Sequence, residues 1–544
     1  MRLLRKTGLK RPSTVLGMLA FIFVSFVLTT SLFALSSVNV PLDHWSYDAL
    51  DKLRGFGLIT SDIYNNRPYS RLEVARLVNE AMQNAKDRKL PALIERFFEK
   101  FRYEFKSELE ETSPGAVSTR TFFKPIQQAE AKFAYVQGDP RQFDSSLHQQ
   151  QGLLGIKANS GTPLLPNNEG VVYTEHSNFS LQFASSARFL DYFSAYVEPI
   201  FIVRENKDDF GRYDQVEADL LKGYGKATFG NFEFQAGRDS MWLGQGYHGT
   251  LLLSNNAPPL DMIKISNPTP TILPWYFRYL GLTKYTIFVA RLENDRDFPH
   301  AMLGGVHTSI KPHPLFELGM TYNFMFNGQG AQQVSLTDVI TLFRLGNSRE
   351  KVNSLASLDA RLRLPFLRNA ELYAEYGGED TTGPRWYEFL WRDVAYVLGI
   401  YFPSITDDGR TDLRVEYSNN AFKQGDAHVG SWYSHNIYTS GYTYDGLILG
   451  HQMGPDATDL FIRTTHYVTD KFRLGLDYTN TESGITLGQA IERINSGGID
   501  LTYDINKWLS ITGRYAYGDV SNFNNLRGDD RTDHLFLTAL KVYF

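Results

Sequence analysis

The chain contains no cysteine. That absence excludes a disulfide framework, thiolate metal sites, a cysteine nucleophile and a lipid-modified N-terminal cysteine. Charge of one sign is also scarce. The formal net charge is −5 over 544 residues, and no basic cluster follows the first eleven, so nucleic acid is not an expected partner. The 12 histidines are scattered and HExxH is absent, so neither a metal nor any other cofactor is expected. After residue 35 no apolar run is long enough for a transmembrane helix. Aromatics and glycine, by contrast, are plentiful: 38 Phe, 31 Tyr and 44 Gly.

Residues 1–36 read as a signal peptide. Arg2, Arg5, Lys6, Lys10 and Arg11 form a basic start, Val15 to Leu35 is apolar, and Ala34 and Ser36 suit the positions before a cleavage site. An uncleaved membrane anchor is the alternative.

Residues 37–115 carry a helical period and are expected to form a small periplasmic bundle. "HWSYDALDKLRGFGLIT" gives a first short amphipathic helix, closed by Gly55 and Gly57. In "YSRLEVARLVNEAMQ", Ser70 and Glu73 have the spacing of a capping box, and Leu72, Ala75, Val78 and Met82 follow at helical intervals. "LPALIERFFEKFRYEFKSELEE" gives a third helix, with Ile94, Phe97, Phe98, Phe101 and Phe105 on one stripe. The stretch is weakly similar to an S-layer-homology module, a resemblance that implies cell-wall polymer binding.

Residues 116–127 read as a linker, and from 128 to 544 the period is two. "DARLRL" sets Leu362 and Leu364 against Arg361 and Arg363. "AELYAEY" sets Leu372 and Tyr376 against Glu371 and Glu375. "TDLRVEYS" sets Leu413, Val415 and Tyr417 against Arg414 and Glu416. "KFRLGLDY" sets Leu476 and Tyr478 against Asp477. Such half-buried strands can face a second sheet or lipid. Inward charges and tyrosines near strand ends favour lipid, and backbone groups in hydrocarbon must be paired, so the sheet has to close.

The connections point the same way. Short links such as "DINK", "VTDK", "LPFLRN", "KPHP" and "FGN" alternate with long ones at 159–177, 239–272, 326–352, 379–390, 420–456 and 519–531. Outer-membrane barrels alternate short periplasmic turns with long outer loops, and counting this way gives about 18 antiparallel strands with both chain ends in the periplasm. The last strand, "DHLFLTALKVYF", alternates to a terminal Phe544 and resembles the signal read by the barrel-assembly machinery. The fold expected is therefore mainly β, a transmembrane barrel with an N-terminal α-helical bundle. It would sit in the outer membrane of a Gram-negative bacterium, in contact with lipid.

One segment breaks the alternation: "GRDSMWLGQGYHGTLLLSNNAPPLD", Gly237 to Asp261. Its glycines allow tight backbone but do not form GxGxxG between strand and helix, so no dinucleotide site is expected. Asp239, Ser240 and His248 lie within ten residues but lack a nucleophile elbow, so no catalytic residue is assigned. Trp242 and Tyr247 either pack the loop or, with His248, contact a ligand.

Extended to Asn267, this segment resembles the hallmark of the Wzi family of capsule-assembly outer-membrane proteins. "YVEPIFIVR" and the helical start "RPYSRLEVARLV" are similar to that family as well. The resemblance implies an 18-stranded barrel with a periplasmic helical bundle, closed by its loops and helices. It implies a lectin-like, non-enzymatic role in attaching exported capsular or exopolysaccharide to the cell surface. Polysaccharide export proteins and peptidoglycan are further candidate partners. "WLGQG" stands where the family more usually has a double-Trp, Pro-containing version.

Two other functions compete. A porin or channel for small solutes or oligosaccharides would suit the inward charges, although a closed, salt-bridged lumen would suit them equally. A helix in "SLTDVITLFRLG" over or inside the barrel would argue against an open pore. An outer-membrane hydrolase lacks a nucleophile–base pair. For a sugar ligand, outer-loop aromatics are expected: Trp386 and Tyr387, and the cluster Trp432, Tyr433, Tyr438 and Tyr442. Each is equally a candidate for loop packing or the membrane-interface belt.

Overall fold

The computed structural model describes residues 35–113, 121–143, 158–207, 213–335, 351–379, 394–421, 432–486 and 490–544. Most of the expected signal peptide, the insert 336–350, and Trp386 and Tyr387 lie outside these residues.

Four helices come first: α1 (Ser46–Gly55), α2 (Arg71–Ala85), α3 (Ala92–Glu104) and α4 (Lys106–Glu111). The Ser70 side chain caps α2 by accepting from the Glu73 N–H at 3.1 Å. The return half of the capping box is not made, because the Glu73 carboxylate pairs with Arg76. Val74, Ala75, Leu77 and Val78 are buried, so the packed face of α2 is turned toward Val74 and Leu77 relative to the Leu72–Met82 stripe. The expected third helix is broken at Phe105, whose φ of −105° and ψ of 24° leave the helical well. Ile94, Phe97, Phe98, Phe101 and Phe105 are all buried, as their spacing requires.

Eighteen antiparallel wall strands follow. They are β1 (Phe122–Gln137), β2 (His176–Phe189), β3 (Phe193–Arg204), β4 (Val216–Phe229), β5 (Phe232–Asp239), β6 (Leu260–Ser266), β7 (Leu282–Arg291), β8 (Met302–His313) and β9 (Phe316–Phe326). The second half is β10 (Asn353–Leu364), β11 (Ala370–Glu379), β12 (Val394–Phe402), β13 (Thr411–Asn419), β14 (Ala457–Tyr467), β15 (Phe472–Ser483), β16 (Glu492–Asp504), β17 (Leu509–Ser521) and β18 (Arg531–Tyr543). β1 pairs with β18 from Gln128↔Tyr543 to Gln137↔His534, which closes the barrel. A register shift between Lys124 and Gln128 interrupts the start of β1, so the alternation is clean only from 128 onward.

Burial follows the charge pattern. Asp359, Arg361, Arg363, Glu371, Glu375, Arg414 and Glu416 point inward and are buried. Leu358, Leu362, Leu372, Leu398, Leu476, Tyr515 and Phe536 point outward and are exposed, the apolar belt that a bilayer covers. Among the described residues no helix is long and apolar enough to cross a membrane.

One link reading is corrected. The stretch 239–272 is not a single loop, because β6 lies within it and pairs with β5 at Asp239↔Leu260 and with β7 at Arg291↔Asp261. Seven alternating residues beside a glycine-rich segment carry too little period to stand out. The next link, at the short-turn end, holds a 3₁₀ turn, Trp275–Leu280. Its Trp275, Tyr276, Phe277 and Tyr279 are all exposed, as interface anchors are.

Candidate functional site

The glycine-rich segment runs into the lumen. Beyond β5, Leu243 and Trp242 pair antiparallel with Asn66 and Arg67 of the helical region. The Gly244 N–H then donates to the Asn65 carbonyl at 2.9 Å. Four wall carboxylates face the turn that follows. Glu375 accepts from the N–H groups of Gly246 at 2.7 Å and Leu251 at 2.9 Å. Glu416 accepts from those of Tyr247 at 2.8 Å and His248 at 3.0 Å, and from the Tyr373 hydroxyl at 2.8 Å. The Gln245 amide donates to Glu317 at 3.0 Å and to Asp359 at 2.9 Å. Successive backbone N–H groups make a nest, and here it is filled by the wall's own carboxyl groups.

This closeness demands glycine. A Cβ on Gly244 would lie 2.4 Å from Glu375 Oε1, one on Gly246 1.9 Å from the Gly249 carbonyl, and one on Gly249 2.5 Å from both His451 and Gln452. The segment is a clasp that joins wall, loops and helices.

The helices seal the short-turn mouth through ion pairs with the wall. Lys52 meets Asp412 at 2.8 Å, Arg54 meets Glu371 at 2.7 Å, Asp62 meets Lys311 at 2.8 Å, and Asp51 meets Arg414 at 3.2 Å. From the other end, loop residues bury an apolar core inside the barrel. Met241, Leu243, Leu251, Leu252, Leu253, Leu447, Ile448 and Leu449 pack there against Phe288, Leu303, Met325 and Leu355 of the wall. The two closures meet at the Asn66–Leu243 pairing.

The candidate ligand residues separate on this frame. Trp432, Tyr433, Tyr438 and Tyr442 are at most 1% exposed, inside the loop core. The Tyr433 hydroxyl donates to the Leu251 carbonyl at 2.8 Å, and the Tyr442 hydroxyl accepts from the Asn323 amide at 2.8 Å. Their rings pack on protein in the loop core. Trp242 is also buried and donates to the Gly246 carbonyl at 3.0 Å. Tyr247 and His248 line a cavity of about 260 Å³ between the clasp and β14–β18. Burial and then the Arg514 and Arg463 charges push His248 from 6.5 down to about 3. Its 3.6 Å approach to Asp459 is therefore not an ion pair at neutral pH. His248 instead stacks on Phe461, ring centroids 4.0 Å apart.

The structure does not assemble Asp239, Ser240 and His248. Ser240 donates to Glu169, and Asp239 accepts from Asn39 and Gln235. Among the described residues no group of three or more His, Asp or Glu could hold a metal ion.

A larger recess, about 730 Å³, opens at the long-loop end. β5 and β6 are short beside β4, and the last β4–β5 pair is Gly223↔Arg238, so the rim dips there. Tyr213, Arg204 and Arg238 line the recess with Asp295, Glu293 and Asp445. Burial and the Glu293 charge raise the Asp445 carboxyl from 3.8 to about 6. No sequence signal marked this site, because its residues come from strand ends and five separate links.

Fold and site together define a closed β-barrel whose lumen is filled from both ends. A model of the capsule assembly protein Wzi family matches residues 148–535, and the chain belongs to that family. An uncharacterized 55.8 kDa protein in the cps region of Klebsiella pneumoniae is 28% identical over 168 residues, 29% of this chain. The chain thus spans only 33% of that relative's length. The Escherichia coli protein Wzi, described as an outer membrane protein involved in group 1 capsule assembly and a carbohydrate-binding β-barrel, shares the fold. The TM-score is 0.67 at 18% identity, over 94% of this chain and 100% of that one.

Proposed function

We propose that this chain is an outer-membrane, lectin-like protein that binds exported capsular or exopolysaccharide and holds it at the cell surface, without turnover. The observation that carries the reading is the filled lumen. A barrel clasped shut by its own loops and helices keeps its binding capacity in recesses at the long-loop end rather than in a wide pore. Short turns face the periplasm in outer-membrane barrels, which supports a periplasmic position for the helices and an outer one for the 730 Å³ recess. Carboxylates and guanidinium groups in such a recess exchange hydrogen bonds with sugar hydroxyls, and Tyr213 offers a ring. The cps-region setting of the Klebsiella pneumoniae relative and the carbohydrate binding of the Escherichia coli protein support polysaccharide as the partner.

Asp295 is exposed on this recess and Tyr213 is half-buried there against the edge of the loop core, so barrel abundance is measured alongside retention. In cells carrying Asp295→Ala with Tyr213→Ala, surface polysaccharide is expected to shed into the medium at unchanged barrel abundance. Full retention by that variant would remove the recess from the proposal.

A further inference from the structure

A second cavity, about 390 Å³, lies between the helical bundle and the same wall strands β14–β18. It reaches the exposed turn residue Lys471 at the short-turn end. The 260 Å³ cavity beside Tyr247 reaches exposed Asp139 on the long-loop side. Both cavities share Leu165, Arg463 and Arg514 in their linings, so they adjoin at one layer.

The layer has a definite construction. Four adjacent strands each present one charge: Arg463 on β14, Asp477 on β15, Asp500 on β16 and Arg514 on β17. Arg463 meets Asp477 at 3.2 Å and Asp500 at 2.7 Å, and Arg514 meets Asp477 at 2.7 Å. The arginines lie flat because the wall beneath them is glycine. A Cβ on Gly475 would be 2.5 Å from Arg463, and one on Gly498 2.7 Å from Arg514. Leu165, from the link between β1 and β2, lines both cavities at this layer. The arginine side chains are 14% and 22% exposed, whereas Asp477 and Asp500 are 9% and 10%, so the guanidinium groups are the more open members of a layer whose four charges sum to zero.

We propose that the two cavities are the vestibules of one side conduit through the otherwise filled barrel, for small inorganic anions, closed at Leu165 against the Arg463–Arg514 belt. Charged belts in narrow pores select by sign, and an apolar side chain at a constriction closes by excluding water. The conduit is independent of polysaccharide binding at the rim.

The full chain has no native cysteine, so Leu165→Cys provides a unique thiol. In oriented proteoliposomes, a membrane-impermeant maleimide is expected to label it from either face. Labelling from one face alone means a dead-end cavity and overturns the proposal. In planar bilayers in KCl, wild type is expected to be silent and Leu165→Gly to conduct with anion selectivity, which Arg514→Gln in the same background shifts toward cations. Heat-modifiable migration in electrophoresis confirms that each variant is folded. A folded Leu165→Gly barrel that stays silent overturns the conduit. A cation-selective current indifferent to Arg514→Gln places the path elsewhere and overturns it too.

Discussion

At the scale of single residues, the glycines and aromatics of the loops are structural before they are anything else. Gly246→Ala forces a Cβ into the Gly249 carbonyl, a backbone atom that cannot step aside without breaking the two N–H bonds to Glu375 and Glu416 next to it. We expect a loss of about 2 kcal/mol or more, seen as a lower temperature for the shift from compact to unfolded migration. Trp432→Ala removes a fully buried ring, and large-to-small changes of this kind cost about 3–5 kcal/mol. The variant should lose loop packing, measured as faster proteolysis of 432–456 in folded barrels. Selective loss of polysaccharide binding with intact loops would contradict its placement in the core. Sequence reading marked these residues as special but did not separate core from surface. A run of Tyr and Trp suits a sugar platform and an apolar core equally, and the difference lies in partners such as Leu251 and Asn323, more than a hundred positions away.

At the scale of elements, the strands were the most legible. Leu362 outward and Arg361 inward follow directly from alternation, and the same rule held along β10, β11 and β13. β6 escaped it because it is seven residues long and flanked by irregular chain. The helices were legible as amphipathic stripes, but their attachment was not, since the pairing of Arg54 with Glu371 leaves no local trace. The bundle itself is pH-sensitive through Glu104, whose carboxylate holds His44, Trp45 and Arg71 of the same helical region. Burial pushes its pKa up, but the His44 and Arg71 charges and the Trp45 indole N–H outweigh burial and bring it from 4.5 down to about 2. A lowered carboxylate stabilises the fold above its unfolded pKa and loses that contribution as pH falls through the folded one. The bundle should hold fully at pH 5 and above and loosen between about pH 4.5 and 2, with roughly 2–3 kcal/mol at stake. Limited proteolysis of residues 35–113 across that range measures it, and unchanged protection at pH 2 would contradict the assignment.

At the scale of the whole molecule, the alternation of short and long links gave the barrel and its strand number without any single strong strand. The filling of the lumen was not legible in that way. Inward charges read equally as a wet pore or a salt-bridged interior, and only the pairing of wall carboxylates with the Gly244–Leu251 backbone decides for the second. The rim recess carries its own pH signature. Asp445 titrates near 6, so below that pH the recess loses negative charge, and an anionic polysaccharide should bind more tightly at pH 5 than at pH 7.5, while a neutral one should not change. The folded barrel is proposed to bind polysaccharide at this recess. The most direct test is equilibrium binding of the strain's own purified surface polysaccharide to the detergent-solubilised protein, with Asp295→Ala/Tyr213→Ala alongside. The account predicts saturable binding by the wild type and about tenfold weaker binding, ~1.4 kcal/mol, by the double variant. No saturable binding by folded wild type, or equal binding by the two proteins, would contradict it.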